Sequence, residues 1–155
     1  MVKTAVIILN WNGIRFLKMF LPGVVKNSLA SDTKIYVADN GSTDGSAEWI
    51  NENFSNVTLI RLESNYGFSA GYNLAIQQIN AQYYVLLNSD IEVEAGWLEP
   101  LISCLDANPD VASCQPKILS YKQKDHFEYA GAAGGFIDKY GYPLCRGRVI
   151  TEIEK

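Results

Sequence analysis

The stretch Tyr83-Tyr84-Val85-Leu86-Leu87-Asn88-Ser89-Asp90 joins an apolar run to an amide and a carboxylate. A short, nearly continuous apolar run is typical of a strand buried in a parallel sheet. In open α/β sheets the crevice beyond the carboxyl ends of the strands is the usual ligand site, and a lone Asp there offers oxygen to a hard divalent cation. The alternative is that Asn88-Ser89-Asp90 is only a turn before a helix, since these residues favour caps and turns.

Apolar runs rich in β-branched residues predict strands at residues 5–9, 35–38, 57–62, 83–87 and 111–114. Helix-period segments lie between them, at residues 46–51, 70–79 and 97–105. Pro100 is tolerated in the first turn of the last helix, and Asn108-Pro109 ends it. This alternation predicts an α/β fold with a mostly parallel sheet and helices on both faces.

After residue 114 the regular alternation stops, and residues 129–136 and 141–143 indicate hairpins and loops. Residues 146–155 contain no capped helix and no recognisable closing element. The expectation is a fold truncated at its C-terminus.

Length, composition and charge limit the function classes. The 155 residues suit one domain but are few for a complete two-substrate enzyme. A net charge of -4 without a basic stripe argues against nucleic acid as a partner. The first apolar run is too short for a membrane span and lacks the cleavage pattern of a signal peptide, which predicts a cytoplasmic protein.

Cysteine and histidine provide no evident site. Cys104, Cys114 and Cys145 form an odd set without Cys-x-x-Cys spacing, so neither a disulfide framework nor a structural zinc site is indicated. Cys104 and Cys114 are expected in the core. His126, the sole histidine, is expected to be a surface residue.

Polar loops follow the first four predicted strands, at residues 10–13, 39–45, 63–68 and 88–90. Parallel strands bring these loops to one edge of the sheet. Carboxylates, amides and glycine backbone suit a nucleotide whose phosphates arrive with a metal ion, because the cation neutralises charge and glycines permit close approach. For Gly13 and Gly45 an ordinary turn is the preferred interpretation.

These loops resemble those of the family 2 glycosyltransferases, inverting enzymes with a GT-A nucleotide-sugar-binding fold. Ile7-Ile8-Leu9-Asn10-Trp11-Asn12-Gly13 is similar to the family's opening strand and loop, and residues 37–46 are similar to the second. Residues 65–73 resemble the segment that wraps the nucleotide. Leu86-Leu87-Asn88-Ser89-Asp90 occupies the place of the D-x-D motif, with Asn88 instead of the first acid, a change common in the rhamnosyltransferase-like branch.

The resemblance implies a UDP- or dTDP-sugar as the partner, with Asp39 accepting the N3–H of uracil or thymine. It also implies that Asp90 holds Mn2+ or Mg2+ on the diphosphate. The nucleotide-binding residues that it implies are Asn10, Asn12, Asp39, Asp44, Asn65, Gly67, Gly71, Asn73 and Asn88.

Inverting transfer to a glycan or lipid-linked acceptor also requires a carboxylate base. In the family this base lies well downstream of the D-x-D position, and the carboxylates Asp125, Glu128 and Asp138 are more typical of solvated surface. The base is therefore expected beyond Lys155. Residues 1–155 are then the donor part of a GT-A domain, inactive alone and prone to form homo-oligomers through surfaces that truncation exposes. The family also suggests bacterial polysaccharide or cell-envelope assembly, with a location in the cytoplasm or at the inner membrane face.

Other functions remain open at this point. A sugar-phosphate nucleotidyltransferase usually has a glycine-rich basic loop after its first strand, whereas residues 10–15 contain few glycines and one Arg. A Rossmann dehydrogenase is set aside because no G-x-G-x-x-G run is present. A receiver-like or non-catalytic binding domain would use Asp39 as the acceptor carboxylate, but receivers gather further acids where this chain has Asn10 and Asn12.

Overall fold

The computed structural model describes residues 1–28, 32–128, 132–146, 148–149 and 152–153. The chain forms two compact units, Met1–Leu98 and Glu99–Lys155. Among the helices that the structure describes, none is long and apolar enough to cross a membrane.

The first unit is built on a four-stranded sheet in which every pair is parallel. Its strands are β1 (Val2–Asn10), β2 (Thr33–Asn40), β3 (Val57–Leu62) and β4 (Ala81–Asn88), in the spatial order β3-β2-β1-β4. Helices α1 (Ile14–Ser28), α2 (Ser46–Asn53) and α3 (Gly67–Ile76) connect successive strands. The predicted α/β fold with a mostly parallel sheet is confirmed.

Strand β1 is the centre of the core, because its side chains are buried on both faces of the sheet. Ile7 packs in a cluster with Tyr72 and Ala75 of α3 on one face. Val6 and Ile8, which point to the other face, are equally buried, and α1 contacts β2 and α2. Burial of a Leu or Ile side chain contributes about 1.5–3 kcal/mol, so this strand anchors the unit.

Helix α1 forms at residues for which no helix is predicted. Pro22 and Gly23 both disfavour a helix interior. Its buried residues Leu17, Leu21 and Val24 recur with helical spacing and cover the sheet. Burial of this apolar stripe therefore outweighs the local preference.

The other helices of the first unit follow the predictions with small shifts. The segment predicted at residues 46–51 is α2. Helix α3 begins at Gly67, three residues before its predicted start, because Gly67 adopts φ +75° and its N–H is bonded to the Asn65 side chain.

The second unit contains the remaining elements. Helix α4 (Glu99–Ala107) has Pro100 in its first turn and ends before Asn108, as predicted. Strands β5 (Gly135–Ile137) and β6 (Pro143–Cys145) form an antiparallel hairpin, which confirms the hairpin prediction for the described residues. The predicted residues 129–131 lie outside the described part, and the short strands β7 (Arg148–Val149) and β8 (Glu152–Ile153) follow.

Two expectations for the second unit are wrong. Residues 111–114 form no strand, because this apolar run pairs with no ladder partner among the described residues. Cys104 and Cys114 are exposed rather than in the core. Cys104 lies on α4, none of whose residues is buried. His126 is exposed, as expected.

The turn after β2 contains two glycines with the same left-handed backbone but different surroundings. Gly41 has φ +74°, and a Cβ there would lie 2.7 Å from the backbone C and Cα of Ser64. Gly45 has φ +80°, and a Cβ there would meet no atom within 4 Å. Gly45 is therefore an ordinary turn residue, as predicted, whereas Gly41 also permits close approach of two backbones.

We expect Gly41→Ala to destabilise the protein by about 2–5 kcal/mol, combining left-handed strain with overpacking. Gly45→Ala, the matched control, should cost only the strain of about 1–2 kcal/mol. Urea denaturation measures both free energies of unfolding. Equal losses in the two variants would contradict the close approach at Gly41.

Candidate functional site

The carboxyl ends of three adjacent strands meet at one edge of the first unit. Asn10 at the end of β1 lies opposite Asp39 of β2, and Leu9 lies opposite Asn88 of β4. Because neighbouring strands are about 4.8 Å apart, the ends of β2 and β4 are separated by roughly 10 Å across β1. This edge is where the sequence predicts the ligand site.

Asn10, Asp39, Ser42 and Ser46 form a polar group that we call the Asn10 cluster. The fully buried Asn10 points its Nδ2 at Asp39 Oδ1 at 3.2 Å, Ser42 Oγ at 3.1 Å and Ser46 Oγ at 2.9 Å. The Ser42 backbone N–H donates to Asp39 Oδ2 at 3.2 Å. Both carboxylate oxygens of Asp39 are thus held, and each retains a lone pair for a further donor.

The Asn10 side chain has only one orientation that suits its neighbours. An ionised carboxylate only accepts hydrogen bonds, so the Asn10 NH2 must face Asp39. Its Oδ1 then has no hydrogen-bond partner within the described part of the chain. A buried acceptor left unpaired costs about 1–3 kcal/mol, which indicates that another requirement maintains this arrangement.

Gly13 lies beside that oxygen and leaves room for it by having no side chain. A Cβ on Gly13 would lie 2.5 Å from Asn10 Oδ1 and 3.6 Å from Ser89 Oγ. The interpretation of Gly13 as an ordinary turn residue is therefore wrong, because the position requires the absence of a side chain. The same contacts place the loop after β4 beside the loop after β1.

Asn12 and Asp44 join the loops after β1 and β2. Asn12 adopts φ +50°, its N–H donates to Ser42 Oγ at 2.9 Å, and its Oδ1 accepts from the Thr43 N–H at 2.8 Å. Asp44 Oδ2 accepts from the Ile14 N–H at 2.9 Å, and its Oδ1 accepts from the Ser46 N–H at 3.0 Å. Both predicted site residues bind the protein's own backbone here.

The Asp44 carboxylate caps two helices, because Ile14 begins α1 and Ser46 begins α2. Partial burial raises its pKa, but hydrogen bonds from the Ser46 side chain and from the backbone of Ile14 and Ser46 outweigh that effect and lower the pKa below its ordinary value. The negative charge is also favoured at helix N-termini, where the backbone dipoles present partial positive charge.

Asn40 organises the loop between β3 and α3. The buried Asn40 donates from Nδ2 to Asn65 Oδ1 at 3.0 Å and to the Gly67 carbonyl at 3.1 Å, and its Oδ1 accepts from the Tyr66 N–H at 3.0 Å. Asn65 Oδ1 also accepts from the Gly67 N–H at 2.8 Å. The predicted residues Asn65 and Gly67 are thus tied to the end of β2.

Gly71 permits α3 to approach the sheet closely. A Cβ on Gly71 would lie 2.9 Å from Leu9 Cδ1 and 3.1 Å from Asn40 Nδ2. Asn73 lies on the same helix with an exposed side chain. The structure therefore brings Gly71 against the strand ends, whereas Asn73 faces solvent.

Asn88 and Asp90 are exposed at the end of β4. Beneath them, the Tyr72 hydroxyl donates to the Leu87 carbonyl at 2.9 Å. Burial raises the pKa of Tyr72 to about 12, a hydrogen bond from the Leu9 backbone opposes this, and the charge of Asp90 adds to it. The charge of Asp90 therefore acts on the Tyr72 hydroxyl, which binds the end of β4.

Several residues of this edge lie inside the motifs that the sequence singles out but were not predicted as site residues: Asn40, Ser42, Ser46, Tyr72 and Ser89. Asn40 and Ser42 lie inside a motif that the sequence does single out, but their partners are about 25 to 32 positions away. No local pattern indicates those pairings.

The donor atoms at the end of β4 fit a hard cation only together with phosphate. No group of three or more His, Cys, Asp or Glu residues that could hold a metal occurs in the described ranges. Asp90 offers a carboxylate, and Mg2+ is commonly held by one or two carboxylates with substrate phosphates and water.

A family model described as "Glycosyl transferase family 2" matches residues 5–144. The chain belongs to glycosyl transferase family 2. The match includes all four polar loops and confirms the resemblance at the level of the family. The match does not identify the branch of the family to which the chain belongs.

Individual relatives agree with this assignment. The chain is 28% identical over 116 residues to cholesterol galactosyltransferase of Borreliella burgdorferi. The matched region covers 73% of this chain and 32% of the relative. Crystal structures of S. aureus TarS 1-349 in complex with UDP-GlcNAc and with UDP each match with a TM-score of 0.61 and 22% identity. They cover 69% of this chain and 32% and 33% of TarS 1-349, respectively.

This likeness confirms the GT-A fold. The chain spans about a third of the length of these relatives.

We expect Asp44→Asn to lower the free energy of unfolding by about 0.5–2 kcal/mol at neutral pH, because one oxygen cannot cap both helices. The lowered pKa of Asp44 means that its charge stabilises the fold above the ordinary value of 3.8, and that this contribution is lost as pH falls through the lowered value. Urea denaturation between pH 7 and pH 3 should show the free energies of unfolding of wild type and Asp44→Asn converging as the pH falls.

The matched control is Glu52→Gln, which removes an exposed charge from α2. This variant should follow wild type at every pH. A difference between Asp44→Asn and wild type that stays constant down to pH 3 would contradict the assigned role of the ionised carboxylate.

Proposed function

We propose that the first unit binds the nucleotide of a UDP- or dTDP-sugar for inverting transfer of the sugar to an acceptor. The observation that carries this proposal is Asp39, nearly buried at the carboxyl edge with both oxygens held. Such a carboxylate suits the N3–H of uracil or thymine, because it accepts hydrogen bonds and donates none. The TarS structures with UDP-GlcNAc and UDP support the same ligand class.

The diphosphate is proposed to lie at the end of β4. Asp90 would hold Mn2+ or Mg2+ there, and Asn88 would offer its amide to the ribose. A bound cation would stabilise the charge of the departing nucleoside diphosphate. Asp39 and Asp90 flank β1, so they would contact opposite ends of one nucleotide. The uncharged Asn88 supports assignment to the rhamnosyltransferase-like branch.

The general base is proposed to lie beyond Lys155. Local roles of two candidate carboxylates support this: Asp125 Oδ1 lies 2.8 Å from His126 Nδ1, and Asp138 Oδ1 accepts from the backbone of Tyr140 and Tyr142 at 2.8 and 2.9 Å. A carboxylate engaged in a hairpin turn is poorly placed to accept an acceptor proton.

The acceptor is proposed to be a glycan or a lipid-linked acceptor in bacterial polysaccharide or cell-envelope assembly, reached from the cytoplasm or the inner membrane face. The name of the Borreliella relative, a cholesterol galactosyltransferase, supports an acceptor that includes a lipid. Self-association is also proposed, because β4 is an outer strand of the described sheet and exposes Tyr84 and Leu86.

A thermal-shift experiment tests the donor site. At a nucleotide concentration 100-fold above Kd, binding adds roughly 2.7 kcal/mol to the free energy of unfolding and raises Tm by about 5–10 °C. We expect UDP and dTDP with Mn2+ to give this shift. Asp90→Ala should lose the part of the shift that depends on Mn2+.

The control is Asp32→Ala, which removes an exposed carboxylate just before β2, at the opposite edge of the sheet. It should retain the shift that depends on Mn2+. Absence of a shift with every nucleoside diphosphate would refute the proposed function, and an unchanged response of Asp90→Ala would refute the metal assignment.

A second experiment tests the missing base. The 155-residue chain should bind nucleotide but release little UDP from a UDP-sugar in the presence of glycan acceptors, because the base that would activate the acceptor hydroxyl is proposed to lie elsewhere. Coupled detection of released UDP, with a full-length family member as the positive control, measures this. Robust transfer by the chain would contradict the placement of the base beyond Lys155.

A further inference from the structure

We propose that Asn10 is a positioning residue that sets the preference for uracil over cytosine by holding the Asp39 carboxylate in one orientation. This inference rests on the proposed nucleotide function and adds a residue that determines base specificity. Asn10 acts through Asp39 and is not proposed to contact the base.

The hydrogen bonds define how Asp39 is held. Its Oδ1 faces the NH2 of Asn10, and its Oδ2 accepts from the Ser42 backbone N–H. Because these donors bind different oxygens, rotation of the carboxylate would break at least one of them. Asp39 is only 5% exposed, so a ligand must meet it from a restricted direction.

The position of Asn10 is itself tightly restricted. Its Nδ2 also contacts the hydroxyls of Ser42 and Ser46, while its Oδ1 faces the space that the missing side chain of Gly13 leaves. Rotation of the amide by 180° would direct Oδ1 at the Asp39 carboxylate, where two acceptors would repel each other. The surroundings therefore maintain a donor beside Asp39.

A fixed carboxylate distinguishes the two pyrimidines by their hydrogen-bonding groups. Uracil carries a donor at N3, whereas cytosine carries an acceptor at N3 and a donor amino group at C4. A carboxylate held to meet N3 binds uracil and repels cytosine. A carboxylate free to rotate could instead accept from the cytosine amino group, and the preference would shrink.

The test compares UDP and CDP, which share ribose and diphosphate and differ only in the base. Titration calorimetry at one fixed Mn2+ concentration measures both Kd values for wild type and Asn10→Leu, which is similar in size and lacks the donor. We expect wild type to prefer UDP, and Asn10→Leu to reduce the ratio of the two affinities about tenfold or more, as the loss of a charged hydrogen bond implies.

Controls separate positioning from loss of stability. Val24→Ala, in the buried stripe of α1, destabilises the same unit without touching the Asn10 cluster and should retain the wild-type ratio. Asn10→Ala, which also lacks the donor, replaces Asn10→Leu if circular dichroism shows that the latter is unfolded. In an Asp39→Asn background, the Asn10 substitution should change the ratio no further, because Asn10 acts only through Asp39.

The outcomes distinguish this inference from the function on which it rests. A wild-type chain that binds neither UDP nor CDP refutes both. A wild-type chain that prefers UDP, together with a folded Asn10 variant that keeps the same preference, refutes the role of Asn10 alone. A reduced ratio in Val24→Ala equal to that of the Asn10 variant likewise refutes it, because stability would then account for the change.

Discussion

Parallel pairing of β1 with β2 on one side and β4 on the other is the constraint on which the rest of the first unit depends. It places Asn10 opposite Asp39 and Leu9 opposite Asn88, so that polar groups from three strands reach the same edge. Successive side chains of a strand point to opposite faces, and a slip of one residue would therefore turn Asn10 away from Asp39. Val6, Ile7 and Ile8 are closely packed on the two faces of β1, which leaves no free volume to accommodate such a slip.

The polar residues at this edge form two groups. One group makes hydrogen bonds within the protein, and the other keeps atoms available to bind a ligand. Asn12, Asn40 and Asp44 direct their side chains at the backbone of neighbouring loops. Asn88 and Asp90 are exposed, and Asp39 keeps lone pairs on oxygens that the protein already orients. A site whose supporting groups are fixed before the ligand arrives loses less entropy on binding. The Oδ1 of Asn10, which has no hydrogen-bond partner among the described residues, is a local cost of this arrangement.

Local patterns predicted most of the regular structure and failed where tertiary contacts decided the outcome. The four strands of the parallel sheet and helices α2 and α4 follow from apolar periodicity. Helix α1 presents two conflicting local signals, since Pro22 and Gly23 disfavour a helix interior while Leu17, Leu21 and Val24 recur with helical spacing. Burial of that stripe in the folded unit decides between them. The run at residues 111–114 has strand composition, but a strand also needs a partner, which composition does not supply.

The sequence by itself determined the α/β class, the four polar loops and the family to which they belong, because apolar period and loop motifs are local properties of the chain. It also indicated which residue types gather at the carboxyl edge. Only the tertiary structure decided which of them bond to one another: Asn10 meets Ser46 across 36 positions, and Asp44 caps a helix that begins 30 positions earlier. Such pairings depend on strand register and loop geometry, which no periodicity encodes, so roles within the edge emerge only when the chain is folded.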